Sequence, residues 1–154
     1  AYTVLERSKE LERGVDILKY DTKSGKSEIL IEASNFVPEG AETPLRFSSY
    51  SWSSDQSKLL IFTNTRRVWR ANTRGDYWVY DVESKNLSKL GADLPESSLM
   101  FAKFDEAGTR VAFVSKHNLY MQDLESGELT QLTFDGTEDI INGTFDWVYE
   151  EEMS

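Results

Sequence analysis

Tyr50-Ser51-Trp52-Ser53-Ser54-Asp55-Gln56-Ser57-Lys58-Leu59-Leu60-Ile61-Phe62 returns, without a gap, as Ala102-Lys103-Phe104-Asp105-Glu106-Ala107-Gly108-Thr109-Arg110-Val111-Ala112-Phe113-Val114, at an offset of 52 residues. In both copies a polar, Asp-bearing turn separates an aromatic-containing segment from a continuous apolar run, which is the pattern of two short antiparallel strands. A second unit occurs three times, over 17–30, 78–90 and 119–132. Each time a strand ends in Asp (Asp21, Asp81, Asp123), a polar turn follows in which Gly or Asn permits positive φ, and a second strand returns. Four short strands recurring every 40 to 50 residues or so are the mark of propeller blades.

The fold class expected is therefore all-β: a partial β-propeller of about two and a half four-stranded antiparallel blades, with a short helix at the C-terminal end. The division expected is a partial blade over 1–45, a blade over 46–97, a blade over 98–135, and a final segment over 136–154. The runs Leu59–Phe62 and Val111–Val114 suit strands buried between neighbouring blades, whereas the alternation from Tyr77 to Asp81 suits a strand nearer the rim. A propeller closes its ring with about four to eight blades, so more of the same protein is expected to complete this one. Alone, the blades would expose faces rich in Trp52, Phe62, Phe101, Phe104 and Phe113. Tyr2-Thr3-Val4-Leu5 reads as the middle of a strand and the other end stops inside the expected helix, so both termini look cut from a longer polypeptide. The connections 36–44 and 91–98 read as short blade-to-blade linkers with turns set by Pro and Gly. Thr63–Gly75 is the longest departure from the blade pattern, an insertion between the second and third strands of its blade that carries four of the chain's 17 basic residues.

Composition narrows the chemistry. The 154 residues are 39% hydrophobic and 12% aromatic, enough for a core. A net charge of −10 disfavours nucleic acid or an anionic membrane as partner and is compatible with cationic ligands. With no cysteine, disulfides, thiol catalysis and thiolate metal sites are excluded. One histidine, His117, stands at a turn without an elbow-type serine, so no triad is expected; Gly-x-Ser-x-Gly, calcium-loop and phosphate-loop motifs are all missing. No catalytic residue, metal site or cofactor is expected in this chain. No apolar run reaches the roughly 18 residues of a membrane span, and no signal-peptide core precedes Arg7.

The final stretch carries the candidate site. Asn142-Gly143 reads as a turn, and Asp146 can cap a helix starting near Trp147 that bears Glu150, Glu151 and Glu152. Successive helical residues lie about 100° apart, so three glutamates sweep over half the circumference, and two neighbouring carboxylates aimed at one point can receive an ammonium group. Acidic residues near a helix N-terminus are also favoured by the macrodipole while simply facing water.

The wording of 136–152, from Gly136-Thr137-Glu138-Asp139 to Tyr149-Glu150-Glu151-Glu152, resembles the double-glutamate segment of the dipeptidyl peptidase IV family. The resemblance implies an eight-bladed propeller followed by an α/β-hydrolase domain, with Glu151 and Glu152 binding the substrate's free α-amino group. Trp69-Arg70 falls on a family Trp-Arg pair whose arginine reaches a substrate carbonyl, which makes Arg70 the third substrate-binding candidate. By the same resemblance the whole protein removes Xaa-Pro or Xaa-Ala dipeptides from peptides with a free N-terminus. Its partners would be the remaining blades, the hydrolase domain and a second subunit of a homodimer, outside the cytoplasm. Two other readings stay open: a tripeptidyl relative, and a non-catalytic propeller acting as a binding scaffold.

Overall fold

The computed structural model describes residues 1–68 and 70–145. Strands β1 (Tyr2–Arg7), β2 (Val15–Tyr20) and β3 (Ser27–Ile31) form one antiparallel sheet in that order. A 3-10 turn, Ala33–Phe36, opens the path to a four-stranded antiparallel meander of β4 (Ser49–Trp52), β5 (Lys58–Val68), β6 (Ala71–Asp81) and β7 (Leu87–Lys89). The same meander repeats as β8 (Leu99–Phe104), β9 (Arg110–Ser115), β10 (Asn118–Asp123) and β11 (Leu129–Gln131). This is a partial β-propeller, and its second and third blades share a ladder where Arg74 pairs with Met100 and Gly75 with Leu99. Among the described residues no helix is long and apolar enough to cross a membrane.

Turn chemistry explains why the repeated unit folds as a hairpin. Asp21 Oδ1 accepts from the Ser24 N–H at 2.6 Å and the Ser24 hydroxyl at 2.8 Å. Asp81 does the same with Ser84, at 2.8 Å for both, and Asp123 with Ser126, at 2.9 and 3.0 Å. These donors favour the ionised form and hold all three carboxyls below the ordinary range, the serine N–H being the largest cause each time. The positive-φ residue after this turn is Gly25 in the first copy and Gly127 in the third, but in the second it is Lys85 at φ 58°, not the expected Asn86. The Asp-to-Ser bonds fix the turn shape whichever residue comes next, and the Lys85 side chain is exposed, so it adopts the conformation without a clash.

Burial follows the two-residue period of β5. Leu59 and Ile61 point towards the first blade, where they join Ile17, Ile31, Phe36 and Tyr80; Leu60 and Phe62 point the other way, to Val79, Leu99, Val111 and Phe113. Two expectations need correction here. Tyr77, Val79 and Tyr80 are all buried, so β6 is an inner strand covered by a blade on each side rather than a rim strand. Phe62 and Phe113 are buried between the second and third blades and do not face out; the exposed large apolar residues include Tyr2, Ile29, Leu132, Phe134, Ile140 and Phe145. The linker that starts at Phe36 also contributes to the core: Phe36 is fully buried and meets the rings of Phe47 and Tyr80 edge-on at 4.8 and 5.3 Å.

A buried polar residue recurs five positions before each turn aspartate: Asp16, Asp76 and Asn118, at 7%, 5% and 8% exposure. Each accepts a backbone N–H from the connection that leaves its blade. Asp16 Oδ1 takes Ala33 N–H at 2.7 Å, Asp76 Oδ1 takes Ser97 N–H at 2.8 Å, and Asn118 Oδ1 takes Gly136 N–H at 3.0 Å. A buried N–H without a partner costs free energy, so each bond latches the outgoing chain to the last strand but one of its blade, β2, β6 or β10.

Candidate functional site

Thr63–Gly75, expected as an insertion, is a continuation of the two strands. β5 and β6 run 11 residues each, and the pairings Thr63↔Asp76, Arg66↔Arg74 and Val68↔Ala71 carry the ladder out to Arg70 at its end. Two register shifts interrupt it, one beside Asn64, whose φ is +47°. The base of this ribbon is clamped by the second latch. Asp76 Oδ2 accepts from Asn64 Nδ2 at 2.7 Å, Lys89 Nζ stands 3.5 Å from Oδ1, and the Ser97 hydroxyl donates to Asn64 O at 2.7 Å. Gly75 is required there, because a Cβ would lie 2.5 Å from the Phe62 ring and 2.7 Å from Thr63 O.

Beside the clamp, Tyr77 stacks on Phe62 with ring centroids 4.6 Å apart. Burial pushes its phenol up to about 12, offset in part by the Ala102 and Phe101 N–H groups at the irregular pairing in β8.

The segment 136–145 is docked on the β9–β10 turn. That turn has two residues, Lys116 and His117, both left-handed at φ 49° and 61°, as a type I′ hairpin requires. His117 contributes through its backbone: its carbonyl accepts from Asn142 N–H and from Asn142 Nδ2, both at 3.1 Å. Asn142 Nδ2 also donates to Asp135 Oδ1 at 3.0 Å, and the Asn118 latch fixes Gly136 at the start of the segment. Gly143, at φ +76°, lets the backbone press against Val114 and Leu119, where a Cβ would come within 2.7 Å.

Ribbon and segment face one another across a cleft of about 740 Å³. Arg66, Val68 and Arg74 line one wall, Lys116 and His117 the floor, and Gly136 to Phe145 the opposite wall. Arg70 is exposed at the end of the ribbon. Glu151, Glu152, Glu150 and the expected helix from Trp147 lie outside the described residues, as does Trp69. The structure therefore describes the two supports of the candidate site, the ribbon and the docked segment. The latch residues Asp76 and Asn118 and the clamp residue Ser97 are not among the residues that sequence reasoning selects; the signal that could find the latches is their fixed spacing from each turn aspartate.

A family model described as the dipeptidyl peptidase IV N-terminal region matches residues 53–154, more than half of the chain. The protein named "Probable dipeptidyl-aminopeptidase B" of Talaromyces marneffei is 33% identical over 126 residues, covering 81% of this chain and 14% of the relative. The Aspergillus oryzae protein of the same name is 34% identical over 134 residues, covering 86% of this chain and 14% of its own length. The crystal structure of Porphyromonas gingivalis dipeptidyl peptidase 4 superimposes with a TM-score of 0.78 at 28% identity, over 97% of this chain and 20% of that one. The chain thus spans only 14–17% of the length of the curated relatives it matches. On these grounds the chain belongs to the dipeptidyl peptidase IV family and carries part of its N-terminal region.

Proposed function

We propose that the chain is the substrate-positioning part of the propeller of a serine exopeptidase that releases dipeptides from peptide N-termini, with proline or alanine as the second residue. The observation that supports this best is the cleft between the ribbon that ends at Arg70 and the segment that runs on, in sequence, into Glu151 and Glu152. In this reading the two carboxylates receive the α-ammonium and the Arg70 guanidinium donates to the carbonyl beyond it, a charge-assisted pair of contacts. Because the ammonium is held at a fixed distance from the nucleophile, the second peptide bond is the one presented, and N-blocked chains are rejected. Holding reactants in this way can contribute several kcal/mol, on the order of the gains seen for oriented reactions. The nucleophile, its histidine and aspartate, and the proline pocket would come from an α/β-hydrolase domain elsewhere in the protein. The remaining blades, a second subunit and an extracytoplasmic location complete the proposal.

The test uses the full-length protein and a Gly-Pro chromogenic amide, with its N-acetylated form as control. Wild type should cleave the free amine alone, and Glu151→Gln/Glu152→Gln and Arg70→Ala should each lose most of kcat/KM. Equal cleavage of both amides, unchanged in the glutamate double variant, would refute the ammonium clamp.

A further inference from the structure

The two arginines of the cleft wall sit directly opposite one another. Arg66 and Arg74 are cross-strand partners in the β5–β6 register, and both line the same cleft. Like charges placed opposite each other across a ladder are destabilising. No ion pair among the described residues relieves either one. Lys116, on the floor, adds a third full cation, beside His117. Among the described residues two carboxylates also line the cleft, Glu96 and Glu138, so it is not uniformly cationic; yet three cations against two acids in that lining contrast with a chain of net charge −10. Arg66, Arg74 and Lys116 are exposed, so a ligand can reach them without any rearrangement.

We propose that this cleft is a subsite for an acidic side chain on the first residue of the peptide, Asp or Glu, gripped by Arg66 and Arg74 with Lys116 behind them. The inference rests on the proposed function, which brings the substrate's N-terminal residue to the end of the same ribbon. The side chain of that residue leaves the carbon that bears the ammonium. From there the ribbon offers a guanidinium pair, whose planar donors match a carboxylate in bidentate geometry. Substrates that carry a cation at that position would meet the pair as repulsion, which sharpens the preference from the other side.

The experiment measures kcat/KM of the full-length protein for Glu-Pro, Gly-Pro and Lys-Pro chromogenic amides. Wild type should prefer Glu-Pro over Lys-Pro, and the Glu-Pro to Gly-Pro ratio should fall about fivefold to tenfold in Arg66→Gln/Arg74→Gln, the size expected of two solvent-screened charge contacts. Arg66→Lys/Arg74→Lys should keep the part of the ratio that charge alone supplies and lose the part that bidentate geometry supplies, falling between wild type and the double Gln variant, and Arg66→Glu/Arg74→Glu should turn the preference to Lys-Pro. Raising ionic strength should compress the wild-type ratio as well. Cleavage of Gly-Pro amide with a ratio that none of these variants moves would overturn the acidic subsite and leave the peptidase reading standing. Failure to cleave any of the three amides would overturn both.

Discussion

The β5–β6 and β9–β10 hairpins occupy the same place in successive blades and solve it differently. β9 and β10 are six residues each and close in two, at Lys116 and His117; β5 and β6 are 11 each and overshoot. Up to Thr63 and Asp76, both buried, the longer hairpin contributes to the core; from Asn64 to Arg74 no described residue is buried. With so little area removed from water, the overshoot stabilises little, and it interrupts its own ladder twice. Its consequence is reach: it carries Arg66, Arg70 and Arg74 away from the core while Asp76, Asn64 and Ser97 hold its base still. One hairpin serves the fold, and the other uses the fold as a footing.

The sharpest way to break that contrast is to turn one hairpin into the other. Replacing 67–73 with Asn-Gly, a type I′ turn, leaves Arg66, Arg74 and the clamp in place. Hydrolysis of the Gly-Pro amide by the full-length protein should fall by about 100-fold or more, the cost of misplacing a substrate. Its melting temperature should move by no more than a few degrees. Retained activity would mean that the ribbon tip is not used in positioning.

Next in size is the latch beneath each hairpin. Asp76→Ala strands the Ser97 N–H and the Asn64 amide and leaves Lys89 beside a void, so it should cost about 3–4 kcal/mol. Asn118→Ala strands the Gly136 N–H and the Thr133 hydroxyl, both neutral, and should cost about 2 kcal/mol. Urea unfolding of the full-length variants gives both numbers. Equal costs would show that the charge on Asp76 adds nothing to the clamp.

A third difference lies one residue along. Tyr77, next to Asp76, corresponds in the repeat to Leu119, next to Asn118. The folded protein holds the Tyr77 phenol at about 12 against 10.0 for the unfolded chain. The stability this represents is fully present below pH 10 and is lost as pH rises towards 12, roughly 2–3 kcal/mol in all. Thermal melts between pH 9 and 12 should show that loss in wild type, and Tyr77→Phe should remove Tyr77's share of it. An unchanged alkaline profile in Tyr77→Phe would place the titrating group elsewhere.

Much of this architecture is legible in the residues alone. The 52-residue repeat and the three Asp-terminated hairpins place strands close to where they stand, because turn chemistry is local and each Asp makes its bonds within five residues. The features that escape depend on sequence-distant pairing. Asp76 to Ser97 spans 21 residues and Asn118 to Gly136 spans 18, and apart from the fixed spacing to the turn aspartate nothing local distinguishes either acceptor from an ordinary polar strand residue. β6 escapes for the same reason, since its alternation speaks of one covered face and the blade that covers the other is built from residues 99–131. At the candidate site, Arg70, Glu151 and Glu152 are reached through family wording; no periodicity selects them. Arg66 and Arg74 read only as charges in an insertion, because a cross-strand pair exists only once the register is known.

The smallest effect tests the repeat at its least regular point. After the Asp-to-Ser turn, Gly25 and Gly127 take positive φ with nothing within 4 Å of where a Cβ would stand, whereas the second hairpin places Lys85 there at φ 58°. A side chain in the left-handed region costs about 1 kcal/mol, and glycine avoids that cost while losing more chain entropy on folding. Lys85→Gly should therefore stabilise the protein by about 0.5 kcal/mol, and Gly127→Ala should destabilise it by about 1 kcal/mol, both read from urea midpoints at constant slope. Opposite signs at equivalent positions would show that the turn is dictated by Asp81 and Asp123 and merely tolerates the residue at the left-handed position. A loss in Lys85→Gly would instead mean that the lysine makes a contribution the turn geometry does not reveal, and the second hairpin would then be specialised and not just less regular.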